Sequence, residues 1–446
     1  MNYPPFKKQS GLSGVEHNKY NSNLIIIAAL ILLFAYADEA FSFGEDLFIS
    51  GFISQGYLIS TGNNYLITHS KRGSAEFNEV ALNIYAVPSE RLRFGIQYIA
   101  RDLGMDGNNA SYVDWAYGDY HWRDCLGARF GKIKFPSGLY NYERDADMLR
   151  TSILMPESVY AENWRDFTLA VEGASVYGNF HQCKAGEFDY EFFGGTLNVP
   201  NPNSAYWSNV YSESANEFVR AVYPDSPDGN TRYVIDKPQG LSVKMPWVYG
   251  GGLFWKTPLP GLKLGFTKFL GRYEINFKFE FYEITKQDDD LWHESESFLL
   301  ISAFHTDYEV STSSIEYSID KWTLAAEYSL FKNYENGDGN PDGYYVQVTN
   351  QTCSWLSLGA YYSYYNTNSA HNSGTLPEEF NYFHHQNDFC FSSRIDLTEN
   401  WLLKLEAHAM EGAALVKRIQ NPGSFEDPSK IKKDWMLFVA KTTFHF

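Results

Sequence analysis

From about residue 47 to the C-terminus, side-chain polarity alternates with a period of two, in stretches of roughly ten residues. In 321–330, Trp322, Leu324, Ala326, Tyr328 and Leu330 share one face, opposite Lys321, Thr323, Glu327 and Ser329. In 401–410, Trp401, Leu403, Leu405, Ala407 and Ala409 oppose Lys404, Glu406 and His408. Stretches 91–101 (Leu92, Phe94, Ile96 and Tyr98 against Arg91, Arg93, Gln97 and Arg101) and 355–364 repeat the pattern. Successive side chains on a strand point to opposite faces, so each stretch reads as a strand with one apolar and one polar side. An amphipathic helix would need a period near 3.6.

About sixteen such strands are expected, at 47–59, 76–87, 91–102, 111–122, 125–135, 167–181, 187–198, 247–256, 262–270, 308–319, 321–332, 343–351, 354–366, 383–396, 400–412 and 433–446. The segment 272–302 can hold one more hairpin, which would make eighteen. Connectors alternate in length: tight turns such as Pro88–Glu90, Arg123-Asp124 and Asp320 are interleaved with long segments at 60–75, 103–110, 136–166, 199–246, 271–307, 333–342, 367–382 and 413–432. A transmembrane antiparallel β-barrel sorts its loops in this way, with short turns at one rim and long loops at the other. Closure pairs every edge, so no backbone group is left unpaired in lipid. An exported soluble β-sandwich or carbohydrate-binding module would account for the alternation but not for the sorted loops. Trp122, Trp322, Trp401 and Tyr361–Tyr365 lie near strand ends, as in the aromatic girdles of membrane interfaces.

The barrel reading explains an otherwise odd composition. Aromatic residues make up 17% of the chain, yet mean hydropathy is −0.37; the average is taken over a lipid face and a water face. Its 446 residues, which by length suggest about three domains, then divide into a signal peptide at 1–37 and one barrel domain at 38–446. The signal is the apolar run Leu24–Ala37, preceded by Lys7, Lys8 and Lys19 and ending in Ala35-Tyr36-Ala37, a small-x-small cleavage pattern. A net charge of −18 excludes the basic footprint of a nucleic-acid binder. Cys125, Cys183, Cys353 and Cys390 are far apart and form no zinc-type spacing.

The last strand, Trp435–Phe446, reads WMLFVAKTTFHF and ends on an aromatic, with Phe438, Ala440 and Phe444 on the same face. It resembles the closing strand of Gram-negative outer-membrane barrels. The stretch Gly131–Tyr160, GKIKFPSGLYNYERDADMLRTSILMPESVY, is similar to the fifth strand and third loop of porins. The resemblance covers the mature chain as architecture and implies a long third loop folded into the lumen. It also implies passage of ions and small hydrophilic solutes, contact with outer-membrane lipid and lipopolysaccharide, a homotrimer, and recognition of Phe444 and Phe446 by the barrel-assembly machinery. No cofactor or metal is implied, and no solute is identified.

In such a channel the charges at the constriction decide what passes. The third long connector carries Glu143, Arg144, Asp145, Asp147, Arg150, Glu157, Glu162, Arg165 and Asp166. Lys132 and Lys134 lie opposite Ile133 and Phe135, which places them towards the lumen with Arg93 and Arg101. The expectation is a basic wall facing an acidic loop; the alternative is that Arg144 with Asp145, or Arg165 with Asp166, pair to stiffen the loop. His384-His385 with Asp388 is read as a solvated junction, because adjacent strand residues diverge, and Asp288–Asp290 as a loop tip. Competing functions are a substrate-selective channel, such as one for anions or phosphate, and an outer-membrane enzyme barrel. No nucleophile elbow or phosphate loop supports an enzyme.

Overall fold

The computed structural model describes residues 47–446 except 105, 184, 199–225, 227–229, 236–239, 287–291, 335–339, 368–377 and 425–426. The expected signal peptide and Asp288–Asp290 lie outside the described residues. Among the described residues there are seventeen strands: β1 (Leu47–Ser60), β2 (Phe77–Ser89), β3 (Leu92–Leu103), β4 (Asp106–Arg123), β5 (Leu126–Lys134), β6 (Ala170–Cys183), β7 (Gly186–Asn198), β8 (Thr231–Ile235), β9 (Gly240–Lys256), β10 (Leu262–Lys286), β11 (Trp292–Ile319), β12 (Trp322–Asn333), β13 (Asp342–Cys353), β14 (Leu356–Asn366), β15 (His385–Thr398), β16 (Trp401–Gly412) and β17 (Asp434–His445). Sixteen form a closed antiparallel barrel. The short β8 is the exception, pairing with the far end of β10 through Thr231↔Thr285 to Ile235↔Phe281.

Closure is made by β1 against β17, from Phe52↔His445 to Ser60↔Leu437. Beyond the last strand residue, Gly51 and Phe446 exchange two backbone hydrogen bonds of 3.1 Å, so the chain terminus completes the seam. All sixteen expected strands are present. The possible extra hairpin at 272–302 is instead the continuation of β10 and β11, which pair from Leu262↔Tyr317 to Lys286↔Trp292. At 25 and 28 residues these strands far exceed the roughly 9–11 needed to cross a bilayer. The connector expected at 103–110 is largely absorbed into β4.

The alternation sorts faces as expected over most of the wall. Phe94, Ile96, Phe130, Phe192, Leu253, Phe266, Leu324, Tyr328, Phe389, Leu405, Phe438 and Phe444 are exposed on the outer surface, an apolar belt of the kind a bilayer would cover. Trp122, Trp322, Trp355 and Trp401 are exposed beside the short turns and form a girdle at that rim.

The interior is less polar than the alternation suggests. Leu58, Phe77, Trp435, Leu437 and Val439 bury against Tyr65, Leu66 and Ile67 of the first long loop, Ile153 and Leu154 of the third, and Val416 and Ile431 of the last. Infolded loops bring apolar side chains into the bore, and wall residues that would otherwise meet water pack against them. Cys125, Cys353 and Cys390 are free thiols; the side chain of Cys183 lies outside the described residues.

Candidate functional site: the loop across the barrel

Residues 135–169 leave β5 and return at β6, crossing the bore between them. Gly131 and Gly138 make this departure possible. Gly131 has φ +130°, and a Cβ there would lie 2.3 Å from the Ala116 carbonyl oxygen of β4. Gly138 has φ +69°, and its Cβ would meet Tyr160 Oη at 2.5 Å; glycine alone adopts this backbone without strain.

From there the loop reaches the far wall. Gly138 N–H donates to Thr267 Oγ1 of β10 (2.9 Å) and Leu139 N–H to Glu327 of β12 (2.8 Å). Glu327 also accepts from Ser314, Tyr160 and Tyr345 hydroxyls at 2.5 to 2.7 Å, so this buried carboxylate gathers loop and wall around itself. The middle of the loop meets β16, where Glu406 accepts from the N–H groups of Ile153 (2.6 Å) and Leu154 (3.1 Å). Ser158 Oγ then donates to the Tyr344 carbonyl of β13 at 3.1 Å. Asn141 Nδ2 ties the two ends together through the carbonyls of Phe135 (2.9 Å) and Thr168 (2.7 Å).

Three buried charge clusters fix the crossing. Asp147 accepts from Lys404 Nζ (2.8 Å) and Thr443 Oγ1 (2.7 Å), with Lys441 Nζ at 3.8 Å. Burial pushes its carboxyl up, but Lys404, Lys441 and Arg150 outweigh that and hold it well below the usual carboxylate range. Arg165 binds Asp114 of β4 (2.9 Å) and Asp145 (2.7 Å), and Asp145 also takes Lys134 at 3.1 Å. In the third cluster, Glu162 lies 2.7 Å from Arg101 and 3.6 Å from Arg144. Burial raises the Glu162 carboxyl, and these guanidinium groups bring it down to about 2. Beside it, Glu157 is driven the other way, up to about 8, by burial and then by the Glu162 charge.

The expected site residues therefore divide. Arg101, Lys134, Arg144, Asp145, Asp147, Arg150, Arg165 and Asp166 come together in or beside these clusters. Glu143 is exposed at the edge of a cavity. Arg93 pairs in register with Asp119 near the short-turn rim. Lys132 Nζ donates to the Val113 carbonyl at 2.7 Å and lies 5.7 Å from the centre of the Tyr112 ring, whose hydroxyl meets Arg165. Ile133 and Phe135 are also buried, in a cluster with Val171, Phe193 and Phe269. Arg165 and Asp166 do approach, at 3.6 Å, whereas Arg144 pairs with Glu162 instead of its neighbour Asp145. Phe444 faces outward, and Phe446 lines the cavity at the barrel mouth.

Pattern reading missed Asp114, Lys404, Glu406, Lys441 and Glu79, the last of which lies 2.6 Å from Lys441 and 3.8 Å from Arg101. Lys404 and Glu406 sat on the correct polar face, but nothing local marks them as partners of a loop some 250 positions away. Asp114 enters the interior through an irregularity in the β3–β4 register at Gln97/Tyr98.

The crossing leaves separate cavities. Towards the short turns, about 380 Å³ is lined by Trp115, Arg129, Lys134, Tyr142 and Asp145 among others, and about 300 Å³ by Glu143, Arg150 and Glu316. Towards the long loops, about 130 Å³ is lined by Trp164, Phe167, Tyr308, Phe331 and Tyr365, with Arg144 and Glu157.

The fold is similar to that of known outer-membrane barrels. Salmonella typhi OmpF, solved in complex with daunomycin, superposes with a TM-score of 0.51 at 11% identity, over 91% of this chain and 99% of that one. OmpT of Vibrio cholerae gives 0.49 at 9% identity, covering 90% and 97%. An anion-selective porin from Comamonas acidovorans gives 0.47 at 10% identity, covering 90% and 99%. At these identities the likeness is one of fold: the chain shares the closed antiparallel barrel architecture of the OmpF structure. No protein-family model matches the sequence, and no curated protein does.

Proposed function

We propose that the protein is an outer-membrane porin, a passive channel for ions and small hydrophilic solutes whose constriction is the 135–169 loop. The observation that carries this reading is a closed lipid-facing barrel crossed by a loop locked to opposite walls, with charged cavities beside it. A loop bound by buried ion pairs to β3, β4, β16 and β17 holds a fixed aperture, and fixed charges at an aperture set ion preference. Most loop carboxylates are neutralised by their partners. The exposed charges lining the cavities, Glu143 foremost, then carry the selectivity. Phe444 and Phe446 serve in this reading as the signal for barrel insertion.

The test is conductance of the purified protein in planar bilayers under a salt gradient. Discrete open channels are expected, and Glu143→Lys shifts the reversal potential towards anions without altering heat-modifiable gel mobility. A protein that opens no channel would reject the porin reading. A second, narrower reading, a substrate-selective channel, is favoured by the aromatic lining of the 130 Å³ cavity, because ring faces stack on apolar and ring-shaped solutes. Solute-dependent block of the current, relieved in Phe331→Ala, distinguishes it from general diffusion.

A further inference from the structure

Anchoring of the loop accounts for Glu406 but not for the three side chains clustered beside it on the same wall. Cys390 and His408 are directly paired across β15 and β16. Asp388 and Glu406 stand two residues before them on their own strands, so all four side chains share the inner face. They are almost wholly buried: Cys390 is 0% exposed, His408 1%, Glu406 4% and Asp388 5%.

We propose that Cys390, Glu406 and His408 bind a divalent cation of the zinc class, with Asp388 orienting the imidazole. One donor atom from each of the three lies within 4.8 Å of the others. His408 Nε2 is 3.8 Å from Cys390 Sγ and 3.3 Å from Glu406 Oε2. In a tetrahedral site with Zn–S near 2.3 Å and Zn–N or Zn–O near 2.0–2.1 Å, neighbouring ligand atoms sit about 3.3–3.6 Å apart. The two separations bracket the edges of such a polyhedron, and the donor set of thiolate, imidazole and carboxylate is one that zinc takes.

The surroundings strengthen the assignment. His408 Nδ1 lies 3.0 Å from Asp388 Oδ1, which in turn belongs to a carboxylate that accepts the Tyr361 hydroxyl at 3.0 Å. A carboxylate on the far nitrogen fixes the tautomer with its proton on Nδ1 and leaves the Nε2 lone pair directed at the other ligands. Glu406 is positioned by the Ile153 and Leu154 N–H groups, so the loop that crosses the barrel also holds a ligand of this site. Binding displaces the thiol proton and requires neutral imidazole, so protons are released as the ion enters; water supplies the fourth position. An imidazolium held between Asp388 and Glu406, its Nε2–H shared with the Cys390 sulfur, would satisfy the same polar groups without metal; the thiolate-to-metal absorption separates the two arrangements.

The experiment uses the full folded barrel in detergent, loaded with Co²⁺ either after folding or during refolding from denaturant, since the loop covers the site. One tightly held Co²⁺ per chain is expected, displaceable by Zn²⁺, with a thiolate-to-cobalt charge-transfer absorption. Cys390→Ser abolishes that absorption, Asp388→Asn weakens binding about 10–100-fold, and Cys125→Ser leaves both unchanged. Heat-modifiable mobility verifies each barrel. The wild-type spectrum is a readout independent of any variant's folding. Failure to retain Co²⁺ by either route, absence of the thiolate absorption, or unchanged binding in Cys390→Ser would each overturn the proposal. None of these readouts depends on whether the barrel conducts.

Discussion

Replacing Lys404 by methionine tests whether buried charge holds the loop across the bore. Lys404 Nζ makes three hydrogen bonds to the loop: to Asp147 Oδ1 (2.8 Å), the Asp147 carbonyl (2.5 Å) and the Ser152 carbonyl (3.0 Å). Its side chain and that of Asp147 are 0% and 1% exposed. Methionine keeps much of the stem volume and removes the charge. Removing one partner of a buried pair costs about 3–5 kcal/mol, because the remaining charge is left uncompensated. Here Thr443 at 2.7 Å and Lys441 at 3.8 Å still serve Asp147, so the lower end, about 3 kcal/mol, is expected. The double variant Asp147→Asn with Lys404→Met should recover part of that loss, with a coupling of about 1–3 kcal/mol. Since the pair joins loop to wall and not strand to strand, the loss falls on local opening. Hydrogen exchange at 144–154 should accelerate roughly 100-fold, as about 3 kcal/mol implies, while the β16–β17 ladder stays protected. The pH dependence follows from the depressed Asp147 carboxyl: its contribution is complete above the unfolded value near 3.9, and is lost as pH falls through the lower folded value. Asp147→Asn removes that acid sensitivity. Exchange in Lys404→Met indistinguishable from wild type would refute the anchoring argument.

Other consequences can be measured directly. Glu157, raised to about 8, binds its proton more tightly when folded, so its contribution is complete below its unfolded value and disappears as pH rises through about 8. Loop protection should therefore decline between about pH 5 and 8, and Glu157→Gln should flatten that decline in hydrogen exchange. Gly138→Ala forces a left-handed backbone on alanine at about 1–2 kcal/mol, and sets a Cβ 2.8 Å from Glu327 Oε1. Displacement of the loop start should appear as altered single-channel conductance in a barrel of normal gel mobility; unchanged conductance would show that this corner does not set the aperture.

How much was legible varied by residue. Leu324, Tyr328 and Leu405 were correctly read as outward because each strand there has one apolar and one polar row, and lipid selects the apolar one. Ile133 and Phe135 broke the rule: β5 gives way to a loop that turns inside, so the apolar residues at its end are buried with Phe193 and Phe269. The continuous β10–β11 hairpin was mistaken for a possible extra pair because a strand extending beyond the membrane alternates like one within it. Charges at 143–166 were recognised as a cluster, but Arg144 with Glu162 and Arg165 with Asp114 could not be paired from spacing.

Period-two alternation and sorted loop lengths were enough to indicate an antiparallel barrel of sixteen or eighteen strands, because pleat geometry acts locally on each strand, and only the continuous β10–β11 pairing decided for sixteen. The partners inside were decided by tertiary structure alone. Lys404 meets Asp147 only once the long loop folds back onto β16, and Cys390 meets His408 and Glu406 only in the particular register of the β15–β16 hairpin. Electrostatic and ligand geometry depend on distances of a few ångströms, which local pattern does not encode.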